Sequence, residues 1–385
     1  MTVSLGRAEL VAQARRIGAE VAAPAAAAVD AQARFPAETM LALREARLLG
    51  ALVPLELGGS AATLSEAGEA IFAIGQHCTS SAMVLAMHDL QVACLVRHGP
   101  TDAIRSYLAE VASRQLLLAS ATSEQGVGGQ MRSSICAVER LEGRFRLEKQ
   151  ASVISYGAYA DGVLATARRT PDSPPSDQVL VLCTPPGLLL EQASEWDTLG
   201  MRGTCSPGFL LRAEGDLSRI LPHPFGDIAT ETMQPVSHIL WGYVWLGLAS
   251  GALGRARKYV QAEARRQVGV TPPSAVRLAE AMVIYQQMDA FVRAAASRYD
   301  ATSDGMAESG LGTSLAYNSL KVGASALVVD VVTRCLSICG IAGYREDSPY
   351  SLGRHLRDAY GAALMVNNDR ILADNAQLLL VYKED

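Results

Sequence analysis

Four side chains in this sequence could accept a proton, and three short segments could hold something for them to act on. The four are His88 in AMHDLQV, His238 in SHILWGYVW, Glu346 in GYREDSPY and Asp369 in RDAYGAALMVNNDRI. Imidazole titrates near neutral pH and suits such a role. A lone histidine on an apolar helix is also the ordinary form of a satisfied core residue, the simpler reading of His88. Asp369 follows Asn367 and Asn368 and precedes Arg370, so it equally fits a helix cap or an ion pair. The segment SEQGVGGQ, Ser123 to Gln130, has three glycines at the entrance to a β region. Backbone N–H groups there can approach a phosphate or a flavin closely, although a plain turn uses the same residues. SVISYGAYAD sets the Ser155 hydroxyl beside Ile154 at a strand end, and EWDTLGMRGTCS joins an aromatic, a bend and hydroxyls in a loop suited to lining a ligand. There is no GxSxG elbow, P-loop, HExxH or strand-linked GxGxxG.

Three regions of different periodicity must position these groups. Residues 1–115 carry apolar positions at three- and four-residue spacing, as in AELVAQARRIGAEV, and predict an N-terminal helical domain in which Pro36 suits a helix start. Residues 116–222 break into short alternating or β-rich runs such as QVLVLCT and GFLLRAEG, separated by PDSPPSD and PPG, and predict a middle β domain. Long helical patterns resume over 223–385. One of them, SLAYNSLKVGASALVVDVVTRCLSICGIAG, is apolar nearly all round and calls for burial by other helices, including those of another subunit.

Composition removes several classes. The 385 residues are 49% hydrophobic and 19% charged with net charge −5, which argues against disorder and against nucleic-acid partners. No apolar stretch is read as long enough to span a bilayer, and MTVSLGRAELVAQARR lacks a signal-peptide core, so a cytoplasmic protein is expected. The seven cysteines include no CxxC pair; Cys335 and Cys339 share a helical face but read as core thiols, and no metal site is expected.

Taken in order, FPAETMLALREARLLGALVPLELGG, SEQGVGG, VIS, WDTLGMRGTCS, GIAGY and RHLRDA resemble the acyl-CoA dehydrogenase superfamily over almost the whole chain. The resemblance implies an α+β fold of an N-terminal helical domain, a middle β-barrel-like domain and a C-terminal four-helix bundle, assembled as a homodimer or homotetramer. It also implies FAD. Ser155 stands where the family has the hydroxyl on the flavin N5 edge, with Ile154 beside it and Val153 where a tryptophan usually covers the ring. Ser123 matches the hydroxyl near the pyrimidine side; Gly128, Gly129 and Gln130 complete that turn. Arg265, Ser337 and Gly340 correspond to contacts made with the cofactor of a neighbouring subunit.

At the position of the family's catalytic glutamate, counted from Arg357-Asp358-Ala359, this chain has Val366. The alternative base position on the earlier helix is Ser237, next to His238. α,β-Dehydrogenation needs an acceptor for the substrate α-proton within hydrogen-bond reach, and valine is none. The sequence therefore supports a dehydrogenase of an acyl thioester, on CoA or an acyl-carrier protein, with His238 or else Asp369 as a relocated base and an electron-transfer flavoprotein or other acceptor. The alternatives are a flavin-dependent monooxygenase of the same fold, which needs no such base, and a non-catalytic partner subunit.

Overall fold

The 3.6-residue apolar patterns at both ends of the chain become helices and the alternating middle becomes strands. The computed structural model describes residues 7–266, 269–302 and 310–383. Six helices come first: α1 (Arg7–Ile17), α2 (Ala23–Ala31), α3 (Ala37–Glu45), α4 (Leu64–Gly75), α5 (Thr79–His98) and α6 (Asp102–Arg114). Pro36 occupies the N-cap of α3. α4 starts at a reciprocal cap, in which the Glu66 N–H donates to Thr63 Oγ1 at 3.2 Å and the Thr63 N–H donates to Glu66 Oε2 at 2.8 Å.

Seven strands follow: β1 (Leu118–Ala121), β2 (Glu139–Leu141), β3 (Arg144–Ala151), β4 (Gly162–Arg168), β5 (Gln178–Cys183), β6 (Leu188–Gln192) and β7 (Phe209–Asp216). They form two sheets, β1-β4-β5 with β1 parallel to β4, and an antiparallel β2-β3-β7-β6. β3 and β7 alternate exposed with buried side chains, the signature of a sheet with one face on the core, whereas β5 is buried throughout. The barrel-like domain implied by the resemblance is thus a pair of packed sheets, and no strand ladder joins them among the described residues.

The C-terminal helices are α7 (Phe225–Ile228), α8 (Gln234–Arg266), α9 (Pro273–Asp300), α10 (Leu311–Cys339), α11 (Ile341–Tyr344), α12 (Gly353–Tyr360) and α13 (Asn368–Leu379). α8 lies against α4 at a separation only glycine permits: a Cβ on Gly68 would sit 2.3 Å from the Tyr243 ring, and one on Gly247 would sit 2.7 Å from the Phe72 carbonyl oxygen. The end of α9 caps α4, because Asp300 accepts from the Leu64 and Ser65 N–H groups at 2.9 and 3.0 Å. The Arg-Asp of RHLRDA ties α12 to the rest of the chain. Arg357 pairs with Asp30 at the end of α2, and Asp358 accepts from the Met201 N–H at 2.7 Å.

One expectation is corrected here. By length and composition alone, α5, the stretch Phe225–Arg266 and α10 are all apolar enough to cross a bilayer. Packing accounts for the first two, whose apolar windows are 83% and 89% buried within the chain, whereas the window in α10 is only 44% buried. Several short apolar runs interrupted by glycine, serine and single charges add up to span length, which a search for one uninterrupted run misses.

The Gly-rich turn after β1 is anchored from below by charge. Lys149 on β3 has no exposed side-chain surface; its ammonium donates to Glu124 Oε2 at 3.1 Å and to the Thr166 carbonyl at 2.9 Å. Burial pushes the Glu124 carboxyl upward, but Lys149 and the donors Ser134 Oγ and Cys136 N–H, each at 2.6 Å, outweigh it and hold the pKa below its ordinary value. Removing one member of such a pair strands the other in the core. Lys149→Met is therefore expected to cost about 3–5 kcal/mol in urea unfolding, against less than half of that for an exposed control such as Arg212→Met.

Candidate functional site

The two segments assigned to the flavin edge are joined by their own hydrogen bonds. Ser123 Oγ donates to the Val153 carbonyl at 2.9 Å, and the Val153 N–H donates back to Ser123 Oγ at 3.1 Å. Val153 itself is 38% exposed. Ser155, two residues on, is partly exposed, and its hydroxyl accepts from Ser206 Oγ at 3.0 Å. This brings the VIS segment together with the end of WDTLGMRGTCS. Ile154 does not face the same way: its side chain is fully buried and packs beneath Gly157, where a Cβ would lie 2.9 Å from Ile154 Cγ2. Ile154 thus lies between an exposed and a partly exposed neighbour with its own side chain in the core.

Gly126, Gly128 and Gly129 all have positive φ, at 87°, 61° and 74°, so the turn of SEQGVGGQ needs glycine for its backbone. A Cβ built on Gly128 meets nothing within 4 Å. The Gln130 N–H donates to the Val127 carbonyl at 3.1 Å and closes the turn. Across from it stands the first turn of α13, from which Arg370 donates to the Gly128 carbonyl at 2.8 Å and to the Gly129 carbonyl. The C-terminal stretch NNDRI and the glycine turn, 241 residues apart in sequence, thus meet through Arg370 beside the candidate flavin cleft.

Among the described residues, Arg265, Ser337 and Gly340 make none of these contacts. Arg265 is exposed near the end of α8; Ser337 donates to the Thr333 carbonyl within α10, and Gly340 ends that helix with φ 55° and open space at its Cβ. Arg265 lies 27 residues beyond His238 on the same helix, about 40 Å of rise.

Among the described residues, none of the four proton-acceptor candidates hydrogen-bonds to the glycine turn or to the Val153–Ser155 segment. His238 is 3% exposed and its Nδ1 donates to the Tyr317 carbonyl at 3.0 Å. Burial, reinforced by the Lys321 ammonium, draws its pKa down to about 3 despite that hydrogen bond. At neutral pH it is an uncharged imidazole held in the α8–α10 contact, an environment that speaks against the expected role of relocated base. Asp369 is exposed on the first turn of α13, its N–H capped by Asn367 Oδ1 at 2.8 Å. Among the described residues its carboxylate makes no hydrogen bond to the glycine turn, which its neighbour Arg370 reaches. His88 is fully buried, donating through Nε2 to the Leu49 carbonyl at 2.8 Å and accepting at Nδ1 from the Leu118 N–H at 3.0 Å; burial brings its pKa to about 4. Glu346 accepts from Ser351 Oγ at 3.1 Å on the surface, and Ser237 donates to the Gln234 carbonyl at 2.9 Å.

The residue missed in the sequence is Lys321. It projects from α10 with no exposed surface, and its ammonium donates to the Val366 carbonyl at 2.9 Å and to Asn368 Oδ1 at 2.7 Å. Among the described residues it has no carboxylate partner. Its signal was a lone lysine within the apolar run SLKVGASALVV. Val366 adopts φ 43°, a left-handed conformation that a β-branched residue resists.

Burial lowers the Lys321 pKa to about 8. The folded chain then releases this proton before the unfolded chain does, so wild-type stability gains as pH rises from about 8 to the unfolded value of about 10.4. Lys321→Met lacks that gain, whereas buried cysteines and tyrosines affect both proteins alike. The stability of wild type relative to Lys321→Met is expected to rise by on the order of 2–3 kcal/mol between pH 8 and pH 10.4 in paired denaturant titrations; a constant difference would place the lysine's titration elsewhere.

Comparison with known proteins agrees with this architecture. The family description "Acyl-CoA dehydrogenase, N-terminal domain" matches residues 7–115, and "Acyl-CoA dehydrogenase, C-terminal domain" matches residues 229–366, together more than half of the chain. The amino sugar nitrososynthase DnmZ of Streptomyces peucetius is 26% identical over 352 residues, covering 87% of this chain and 84% of that protein. Cyclohex-1-ene-1-carbonyl-CoA dehydrogenase of Syntrophus aciditrophicus (strain SB) is 21% identical over 364 residues, covering 91% and 84%. Among solved structures, butyryl-CoA dehydrogenase from Megasphaera elsdenii superposes with TM-score 0.83 at 19% identity over 99% of this chain and 100% of that one. Dibenzothiophene monooxygenase TdsC from Paenibacillus sp. A11-2 does so with TM-score 0.81 at 19% identity over 98% of each. These superpositions show a shared fold, and with both family domains matched in order, the chain belongs to the acyl-CoA dehydrogenase family.

Proposed function

We propose that this chain is a flavin-dependent monooxygenase built on the acyl-CoA dehydrogenase fold, transferring one oxygen atom to a nucleophilic small molecule. The observation that carries the reading is the start of α13: residue 366 is a valine, His88 and His238 are buried in structural contacts, Glu346 is bonded to Ser351 on the surface, and Asp369 makes no hydrogen bond to the glycine turn among the described residues. A reaction that removes a proton from carbon is poorly served there. Oxygen transfer is not so limited, because one oxygen atom of O2 goes to the substrate, the other leaves as water, and two electrons arrive from an external reductase.

The residues present fit the family's cofactor, FAD. The glycine turn is open above Gly128, Val153 offers a half-exposed apolar surface, and Ser155 and Ser123 present hydroxyls whose partners leave lone pairs free. When bound, FAD would supply the two-electron redox chemistry. Ser155 would then orient the ring edge, the turn's N–H groups would face the polar rim, and Val366, 45% exposed, would give the substrate an apolar wall with no competing acceptor. The named chemistry of the nitrososynthase relative, which spans most of this chain, supports this class of reaction. The named chemistry of the cyclohexene-carbonyl-CoA dehydrogenase supports the second reading, acyl-thioester dehydrogenation with electron-transfer flavoprotein or another acceptor, and that reading needs a base the cleft does not present.

Self-association is part of the same proposal. α10 is incompletely covered within the protomer, and Ile341, Tyr344, Leu364 and Leu380 are 73%, 74%, 75% and 86% exposed on the helical domain. A second copy of the chain, as a homodimer or homotetramer, would cover this surface and bring Arg265, Ser337 and Gly340 towards a neighbouring site. Sedimentation of the FAD-loaded protein should show a dimer or larger species at micromolar concentration, not a monomer.

Two measurements test the reaction class. With a flavin reductase, NADH and 18O2, the FAD-loaded protein should place one 18O atom in a product from a panel of amines and thioethers. Bleaching of the flavin by an acyl thioester in the absence of reductase and oxygen supports the dehydrogenase instead. His238→Asn should keep turnover within about tenfold of wild type, because an imidazole held in the α8–α10 contact contributes packing and not proton transfer; complete loss with the fold and FAD retained would restore His238 as a base.

A further inference from the structure

The geometry points to Lys321 as a positioning residue of the cleft: its buried ammonium grips the Val366 carbonyl and the Asn368 side chain, locks residue 366 in its left-handed turn, and thereby aims Arg370 at the glycine turn. Three observations carry this. A fully buried ammonium without a carboxylate is a costly group, kept only where its donors are taken up well. Here two acceptors lie at 2.9 and 2.7 Å, and the second is itself oriented, because Asn368 Nδ2 donates to Ser325 Oγ at 3.0 Å and Ser325 donates to the Val322 carbonyl at 2.8 Å.

Next, helix stabilisation does not explain the lysine. A cation near the N-terminus of α13 opposes the helix dipole, and the cap is already provided by Asn367. What the ammonium holds is the carbonyl of the residue just before that cap, in a conformation valine disfavours. Finally, the held segment leads directly to Arg370, whose guanidinium bridges to the Gly128 and Gly129 carbonyls of the middle domain. A continuous path runs from the core of α10, through Val366 and Asn368, to the turn that borders the cleft.

Amide hydrogen exchange of the cofactor-free, full-length protein tests this without depending on the proposed reaction. Lys321→Met should speed exchange at least tenfold at amides 368–371 and in the turn 126–130, while the amides of α4 and mid-α8 stay within twofold. Adding Val366→Asn to that variant should recover threefold or more, because asparagine enters the left-handed region without needing a clamp. Equal acceleration throughout the protein, no acceleration at 368–371, or no recovery in the double variant would each overturn the role. If Lys321→Met does not fold, Asn368→Ala removes one of the two grips at a less buried position, and it should give the same local pattern in smaller degree; an unchanged pattern overturns the proposal. FAD titration adds a readout that rests on the flavin reading: the dissociation constant should rise at least threefold in Lys321→Met and fall again in the double variant. A local exchange effect without any change in FAD affinity would contradict the link to the cofactor while leaving the clamp itself intact.

Discussion

A valine in a left-handed turn sets the chemistry available to the cleft. At residue 366 the backbone carbonyl is turned into the protein, where it meets the Lys321 ammonium, and the side chain is an isopropyl group that can neither take nor give a proton. α13 begins two residues later, and Arg370 on its first turn reaches the glycine turn. Among the described residues, this arrangement gathers donors and apolar surface without bonding any of the four proton-acceptor candidates into it. The same family fold can therefore support a reaction different from the one for which its name is best known.

The rest of the chain keeps this arrangement rigid. The glycine contacts between α4 and α8 bring the N-terminal and C-terminal helices to within van der Waals distance, and Asp300 closes the N-terminus of α4 from the end of α9. Arg357 and Asp358 pin α12 to Asp30 and to the loop at Met201, so the segment leading to residue 366 is held at its start as well as at its end. On the facing side, Glu124 and Lys149 fix the strand from which the glycine turn springs. Two buried polar networks, one in the middle domain and one in the C-terminal domain, thus hold the two segments that Arg370 joins, and each costs burial of charge for a defined geometry.

The architecture was legible because it rests on periodicity: the helix, strand, helix order, the alternation of β3 and the Pro36 helix start all follow from side-chain spacing. The pairing of SEQGVGGQ with VIS was also readable, through the resemblance, and the reciprocal Ser123–Val153 bonds give it physical form. The inward turn of Ile154 was not, since it depends on which phase of the alternation faces the core. Nor could spacing show that His238 would spend its Nδ1 on Tyr317, which lies 79 residues away. Lys321 was hidden for a different reason. A single lysine in an apolar helix resembles a solvent-facing charge until the chain folds and shows that its partner is a carbonyl 45 residues on.

The central claim is that the cleft holds no base for a proton on carbon, and α-proton washout tests it without knowledge of the natural substrate. The FAD-loaded protein would be incubated with butyryl-CoA in D2O without oxygen, and deuterium at the α-carbon followed by mass spectrometry. A base in reach exchanges that proton even when no oxidation follows. The account predicts exchange no faster than in buffer with the protein omitted. Exchange catalysed by the wild-type chain and abolished by a substitution at His238 or Asp369 would contradict it and return the protein to acyl-thioester dehydrogenation.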